Sequence, residues 1–290
     1  MKDYIKLIRV KHWLKNGLVF LPLFFSLNLF NWNMVLTCFI AFICFSLSAS
    51  IVYVINDIND VDKDRKHPVK KNRPLASGAI SIKMAYVTIA VLVTLVAIAS
   101  SYLFYLNHDW LVFGIPLIYI FVNILYSFGL KNVPIIDVVI LVSGFVMRVM
   151  YGGVVIDVAV SKFLYLMVIF GAFFLGFGKR RNEIIKNGKK SRSVLALYNK
   201  EFLDKNLYVS LVLSVVSYSL WCVDTSTINR IGNDYLFWTI PIIMVVFQLY
   251  SLDIEGDSHG DPIEVILSNK ILIAVIVLYM LTLFIILYVI

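Results

Sequence analysis

The chain has 290 residues, of which 60% are hydrophobic and only 15% charged, with a formal net charge of +8. Soluble domains carry about a quarter charged residues, so the composition excludes a soluble globular protein and points to a polytopic membrane chain. In such a chain a positive balance reports topology, because cytoplasmic loops collect Lys and Arg, and it gives no reason to expect nucleic acid.

Taken in chain order, the first segment, Tyr4–Leu14, mixes Ile5, Leu7, Ile8 and Trp13 with Lys6, Arg9 and Lys11. It predicts an amphipathic helix over 1–15, lying on the inner membrane surface. Apolar spans follow at 17–32, 34–56, 81–104, 110–127, 134–152, 162–179, 206–224, 235–251 and 269–290. Most approach the ~20 residues that a helix needs to cross a bilayer. The expected fold is therefore an all-α membrane protein, a bundle of about nine transmembrane helices forming one integral-membrane domain over 1–290. Its active-site loops would lie at 57–80 and 179–205. The N-terminal segment and the second, fourth, sixth and eighth connections together hold 23 Lys and Arg, against Lys162 and Arg230 on the other side. That asymmetry places the N-terminus in the cytoplasm and the C-terminus outside. Trp13, Trp32, Trp110, Trp221 and Trp238 all fall near span ends, where an amphipathic ring suits the headgroup layer. No cleavable signal peptide is apparent. Cys38, Cys44 and Cys222 sit in apolar runs, and His12, His67, His108 and His259 form no zinc spacing.

The densest chemistry follows the second long span, from Asn56 to Pro74. Asp57, Asp60 and Asp64 are spaced i, i+3, i+7, and on a continuing helix they fall within about 60° of one face. Three carboxylates on one face repel each other unless a cation neutralises them. Oxygen-only ligands favour Mg2+ or Ca2+, and Mg2+ shares its coordination with substrate phosphates. Arg65, His67, Lys70 and Arg73 suit such a phosphate, so acid and base alternate as a metal–diphosphate site requires. An EF-hand is not supported, since its central Gly and distal Glu are missing. A solvated topogenic loop is the plain alternative.

Two further clusters stand out. Gly178-Lys179-Arg180-Arg181-Asn182-Glu183 closes the sixth span and is either a stop-transfer run or part of a phosphate or metal shell. Tyr126, Lys131 and Asp137 bracket the fourth connection, where Tyr126 and Lys131 could donate to phosphate. Arg148 lies about 16 Å along its helix from Asp137, too far to pair directly. A buried arginine is costly, so it should line a polar cavity or hold a structural partner.

With these residues in view, the chain resembles the UbiA-type prenyltransferase superfamily. Its Asn-Asp-x-x-Asp-x-x-x-Asp motif is matched by Asn56, Asp57, Asp60 and Asp64. It is most similar to the branch that moves 5-phosphoribose onto a polyprenyl phosphate, the decaprenyl-phosphate phosphoribosyltransferases. The stretches that carry this are Trp13–Asn16, Asp64–Pro68 through Arg73-Pro74, Tyr126–Lys131, Gly144–Arg148 and Gly178–Glu183; the remainder matches by helix count and a Gly260-Asp261-Pro262 loop. The resemblance implies nine helices in a bacterial cytoplasmic membrane and Mg2+ on Asp57, Asp60 and Asp64. Lys15, Asn16, Asn56, Arg65, His67, Lys70, Arg73, Tyr126 and Lys131 would serve the donor phosphates. Asp137, Arg148, Lys179, Arg180 and Glu183 would serve the acceptor or a second cluster. The implied partners are phosphoribosyl diphosphate and a polyprenyl phosphate lipid, with a homo-oligomer compatible, and the implied role is supply of cell-envelope glycan precursors. Two departures stand: only Glu183 occupies the place of a second aspartate-rich motif, and Val10 replaces an expected proline. The alternatives are a prenyltransferase acting on an aromatic or other small acceptor, and a transporter using Arg148 and Asp137.

Overall fold

Long apolar runs leave backbone N–H and C=O groups no water to bond, so they must satisfy one another along a helix. The computed structural model describes residues 2–187, 193–256 and 262–290. Among them 83% are helical and none forms a strand. The basic residues Lys189, Lys190 and Arg192, together with His259 and the Gly260-Asp261 pair, lie outside the described residues.

The helices are α1 (Lys2–Leu7), α2 (Leu21–Phe25), α3 (Trp32–Asn59), α4 (Val61–Arg65), α5 (Ile82–Asn107), α6 (Leu111–Phe128) and α7 (Ile136–Val155). They continue with α8 (Lys162–Asn187), α9 (Lys200–Val223), α10 (Thr225–Ile231), α11 (Ile240–Glu255), α12 (Pro262–Ser268) and α13 (Lys270–Tyr288). Eight elements among the described residues are long and apolar enough to cross a membrane: α3, α5 to α9, α11 with the 3-10 turn that precedes it, and α13. They correspond to the second through ninth expected spans. Side-chain caps set several of their starts. Asn31, Ser81, Asn199 and Asn269 each accept a backbone N–H from the first turn of α3, α5, α9 and α13.

The N-terminal region differs from expectation. The amphipathic helix read over 1–15 stops at Leu7, and Arg9 turns the chain in the left-handed region (φ 53). In place of an α-helix over 17–32, the chain forms an 11-residue 3-10 helix, Val10–Phe20, that runs into the five residues of α2. A 3-10 helix rises about 2.0 Å per residue and an α-helix about 1.5 Å, so the two together reach about 30 Å. That is the thickness of a bilayer core. The segment expected to hold the first span is thus an extended element rather than a long α-helix.

Within the chain, two compact units are distinguished by their packing. One comprises Met1–Leu130 and Met147–Ala159, the other Lys131–Val146 and Val160–Ile290. In the first, α3 is the spine, with 67% of its apolar window buried against 22% for α5 and α6. It packs on α5, α6 and the 3-10 helix. Phe45, Ala49 and Val52 meet Leu92, Val96, Ile115 and Tyr119 in its core, while Val91, Leu95, Ile98 and Tyr102 of α5 face outward, as lipid contact requires. Ser46, Ser48 and Ala49 are fully or almost fully buried, and such small residues let neighbouring backbones approach. In the second unit α8 packs along α9, and α11 joins α9 to α13 around Phe174, Leu203, Leu207, Tyr250 and Leu272. All three cysteines are free and buried.

One contact in the first unit admits no side chain. A Cβ on Gly152 of α7 would lie 2.0 Å from the carbonyl oxygen of Val19. Backbone meets backbone there, so Gly152→Ala must push the 3-10 helix away. We expect a loss of about 1–3 kcal/mol, read as a lowered thermal midpoint of the detergent-solubilised protein. An unchanged midpoint would contradict this packing.

Candidate functional site

The acidic run begins inside the end of α3. A helix continuing through Asp64 was expected; instead α3 ends at Asn59, Asp60 leaves the helical region (φ −99, ψ 6) and α4 restarts at Val61. Asn and Asp side chains compete for backbone hydrogen bonds, which makes Asn59-Asp60 a natural place to break. Asp57 and Asp64 are both buried, at 3% and 4% exposure. Asp60, its side chain 33% exposed, lies 3.9 Å from Lys63 Nζ. Asp62 points outward beside Arg65 at 3.3 Å.

The loop then folds back. His67 Nδ1 accepts the backbone N–H groups of Val69 and Lys70, each at 3.2 Å, and so fixes the short 3-10 turn Lys70–Asn72. That turn delivers Arg73, whose Nη1 donates to Asp64 Oδ2 at 2.6 Å and to Asp57 Oδ1 at 3.2 Å. Arg9 Nη2 reaches the same Asp57 oxygen at 2.5 Å, its guanidinium lying 4.7 Å over the Tyr53 ring. The left-handed backbone of Arg9 costs about 1–2 kcal/mol for a residue with a Cβ, and the charge-assisted bond to a buried carboxylate offsets it.

Two carboxylates whose oxygens converge on one guanidinium nitrogen form a pair that fits Mg2+, which typically takes one or two carboxylates and completes its shell with water and substrate phosphate. Among the described residues no three His, Cys, Asp or Glu side chains converge to hold a metal by themselves. A metal here would therefore complete its shell with water and substrate oxygens. Asn56 accepts a hydrogen bond from Ser127 Oγ of α6, beside the half-buried Tyr126.

Other expected site residues of this unit lie elsewhere. Arg65, His67 and Lys70 are exposed on the loop, and Lys15 is half-buried on the 3-10 helix. Asn16 is 1% exposed. Its Oδ1 accepts from Arg148 Nε at 2.7 Å, and its Nδ2 donates to Ser46 Oγ at 2.9 Å. Arg148 also donates to Tyr119 OH at 3.4 Å, with its guanidinium 5.0 Å from the Phe45 ring and 5.3 Å from that of Tyr119. These contacts are of the structural kind, one of the two roles open to Arg148. Eleven residues of α3 separate Ser46 from Asp57, about 16 Å, so Arg148 packs well away from the carboxylates.

The second unit holds the other cluster. Asp137 is fully buried; its Oδ2 accepts from Arg180 Nε at 2.6 Å, and its Oδ1 from Tyr198 OH at 2.7 Å. Arg180 Nη1 donates to Glu183 Oε2 at 2.8 Å. Burial, then the neighbouring Asp137 carboxylate, push the Tyr198 hydroxyl well above its ordinary pKa, so it stays a donor. Arg181 pairs with Asp204 at 2.5 Å and caps the Ile254 carbonyl at 3.2 Å. Lys179 and Lys131 are half-buried. Arg9, Ser127, Tyr198 and Asp204 were not foreseen as partners; each lies 23 or more residues from the group it bonds.

The buried trio yields a stability test. Arg180→Met leaves Asp137 without its cation and should cost about 3–5 kcal/mol. Tyr198→Phe removes one neutral donor and should cost about 1–3 kcal/mol. Denaturant unfolding in micelles checks the order, and equal losses would contradict it.

Comparison with known proteins gives a concordant result. A profile of the UbiA prenyltransferase family matches residues 18–266. The chain is 34% identical over 274 residues to decaprenyl-phosphate phosphoribosyltransferase of Corynebacterium glutamicum, covering 92% of this chain and 81% of that one. It is 33% identical over 285 residues to the enzyme of the same name from Mycolicibacterium smegmatis, covering 92% and 87%. A UbiA homologue from Archaeoglobus fulgidus, solved with GPP and Mg2+, aligns with a TM-score of 0.69 at 18% identity, covering 97% and 99% of the two chains.

Proposed function

The chain belongs to the UbiA prenyltransferase family and is a multi-pass membrane transferase, and from that premise we propose that it moves a 5-phosphoribosyl group from phosphoribosyl diphosphate to a polyprenyl phosphate. The reaction would run at the cytoplasmic face of a bacterial inner membrane and feed cell-envelope glycan synthesis. The observation that carries the reading is the meeting of Asp57 and Asp64 at one point beside Arg9 and Arg73. Curated relatives of that activity at 33–34% identity support the donor and the lipid acceptor.

In this reading a phosphate oxygen of the lipid attacks the anomeric carbon of the ribose. The new C–O bond forms as the bond to diphosphate breaks, and the diphosphate leaves with the electron pair. The carbon acquires oxocarbenium character, as in glycoside cleavage. The lipid phosphate is already an anion, so no general base is required. Arg73 and Arg9 are placed to bind the charge that grows on the leaving group, where preorganised donors matter most. Asn56, next to Asp57 in sequence, would add a further contact to the donor phosphates. Held by Asp57 and Asp64, with Asp60 at the rim, Mg2+ would supply electrostatic stabilisation of the leaving diphosphate. Fixing the donor against a lipid confined to the bilayer converts the encounter into a positional problem.

The direct test incubates purified protein with phosphoribosyl diphosphate, a polyprenyl phosphate and Mg2+, and weighs the lipid by mass spectrometry. The expected product is the lipid increased by one phosphoribosyl group. Asp57→Asn and Asp64→Asn should each lose about 100-fold or more, whereas Asp62→Asn, on the solvent side, should retain activity. Turnover of a prenyl diphosphate with no phosphoribosylated lipid would overturn the reading.

A further inference from the structure

Arg9 belongs to none of the acidic-motif residues, yet it is the closest cation to Asp57. A single stripe brings it there. Along α3, Ser46, Ser50, Tyr53 and Asp57 recur at helical spacing. Opposite them, Asn16 bonds Ser46 at 2.9 Å, Trp13 Nε1 bonds Ser50 Oγ at 3.1 Å and the His12 ring packs against that of Tyr53, tilted by 47° with 5.6 Å between ring centres. Arg9 then meets Asp57 at the end of the same stripe. A 3-10 helix has three residues per turn, so Trp13, Asn16 and Val19 lie in line on one face. Ser50 Oγ also donates to the Ile8 carbonyl at 2.8 Å, pinning the turn that presents Arg9.

Charge counting then gives this arrangement a consequence. Two buried carboxylates, Asp57 and Asp64, are matched by two guanidiniums, Arg9 and Arg73, with Asp60 and Lys63 pairing at the rim. A divalent cation arriving alone would have to evict arginines that then face it as like charges. A diphosphate arriving alone would face the two carboxylates. Arriving together, the metal satisfies the carboxylates and the diphosphate receives the arginines. We propose that Arg9, with Arg73, acts as an internal stand-in cation that makes divalent metal and diphosphate bind as an obligatory pair. Arg9 is thus a ligand-binding residue that exchanges from Asp57 to the diphosphate as the pair enters. The proposal rests on the reading of this cluster as a metal–diphosphate site, but not on which group the diphosphate carries.

The test uses full-length protein in lipid nanodiscs, with Mn2+ as the metal and inorganic pyrophosphate as the anion. Mn2+ uptake alone is followed by electron paramagnetic resonance, and labelled pyrophosphate retention is measured with and without Mn2+. Wild type should bind each about tenfold or more weakly alone than with the other. Arg9→Gln removes one competitor from Asp57, so it should bind Mn2+ alone several-fold more tightly, with a smaller gain from pyrophosphate. Arg9→Lys keeps the charge and should stay close to wild type. Independent binding of the two ligands by wild type would overturn the proposal. So would unchanged Mn2+ affinity in a folded Arg9→Gln protein, the result expected of a purely structural contact. If that variant does not fold, the wild-type comparison alone decides. Neither arm contains a ribosyl or prenyl group, so a failed phosphoribosyl assay and a failed coupling measurement remain distinguishable.

Discussion

Burying a carboxylate at the end of a membrane helix is the constraint on which the first unit depends. Taken out of water without a cation, each of Asp57 and Asp64 would cost several kcal/mol. The chain meets that cost with two arginines drawn from opposite directions in sequence, Arg9 from before the first apolar element and Arg73 from the loop beyond α4. Such a pair is weak evidence for stability, because apolar residues of similar volume pack as well or better. A charged cluster kept under these terms has a reason to be charged, and diphosphate chemistry supplies one.

Much of the surrounding architecture serves that cluster. The 3-10 helix is held to α3 by Asn16, Trp13 and His12, and to α7 by the backbone contact at Gly152. Arg148 completes the clamp through Asn16 Oδ1, while the Phe45 and Tyr119 rings cover its guanidinium. Its charge is thereby converted into a packing element inside the unit. In the second unit Asp137 does comparable work, tying α8 through Arg180 and the segment before α9 through Tyr198.

Legibility in the sequence followed the range of the interactions. Helices α3, α5 to α9, α11 and α13 are visible as apolar runs, since hydropathy and backbone satisfaction act locally. The meeting of Asp57 with Asp64 was also local, carried by their i, i+7 spacing, whereas Asp60 stays at the rim. The helix break at Asp60 was not read, although Asn59 and Asp60 are the residue types that favour one. The 3-10 winding of 10–20 was not read, although periods of 3.0 and 3.6 residues diverge by about 200° over ten residues; Trp13, Asn16 and Val19 at threefold spacing are its mark. Arg9 looked topogenic, and nothing local distinguishes it from Lys6 or Lys11. Its pairing with Asp57 spans 48 residues, and that of Arg180 with Asp137 spans 43. Such contacts are set by how helices pack, which spacing does not encode.

The most direct measurement is anomalous diffraction from crystals grown with Mn2+ and phosphoribosyl diphosphate. The account predicts one manganese peak between the Asp57 and Asp64 carboxylates, within direct ligand distance of both, with the Arg9 and Arg73 guanidiniums turned onto the diphosphate. A donor bound with manganese elsewhere, and both arginines still on the aspartates, would contradict it.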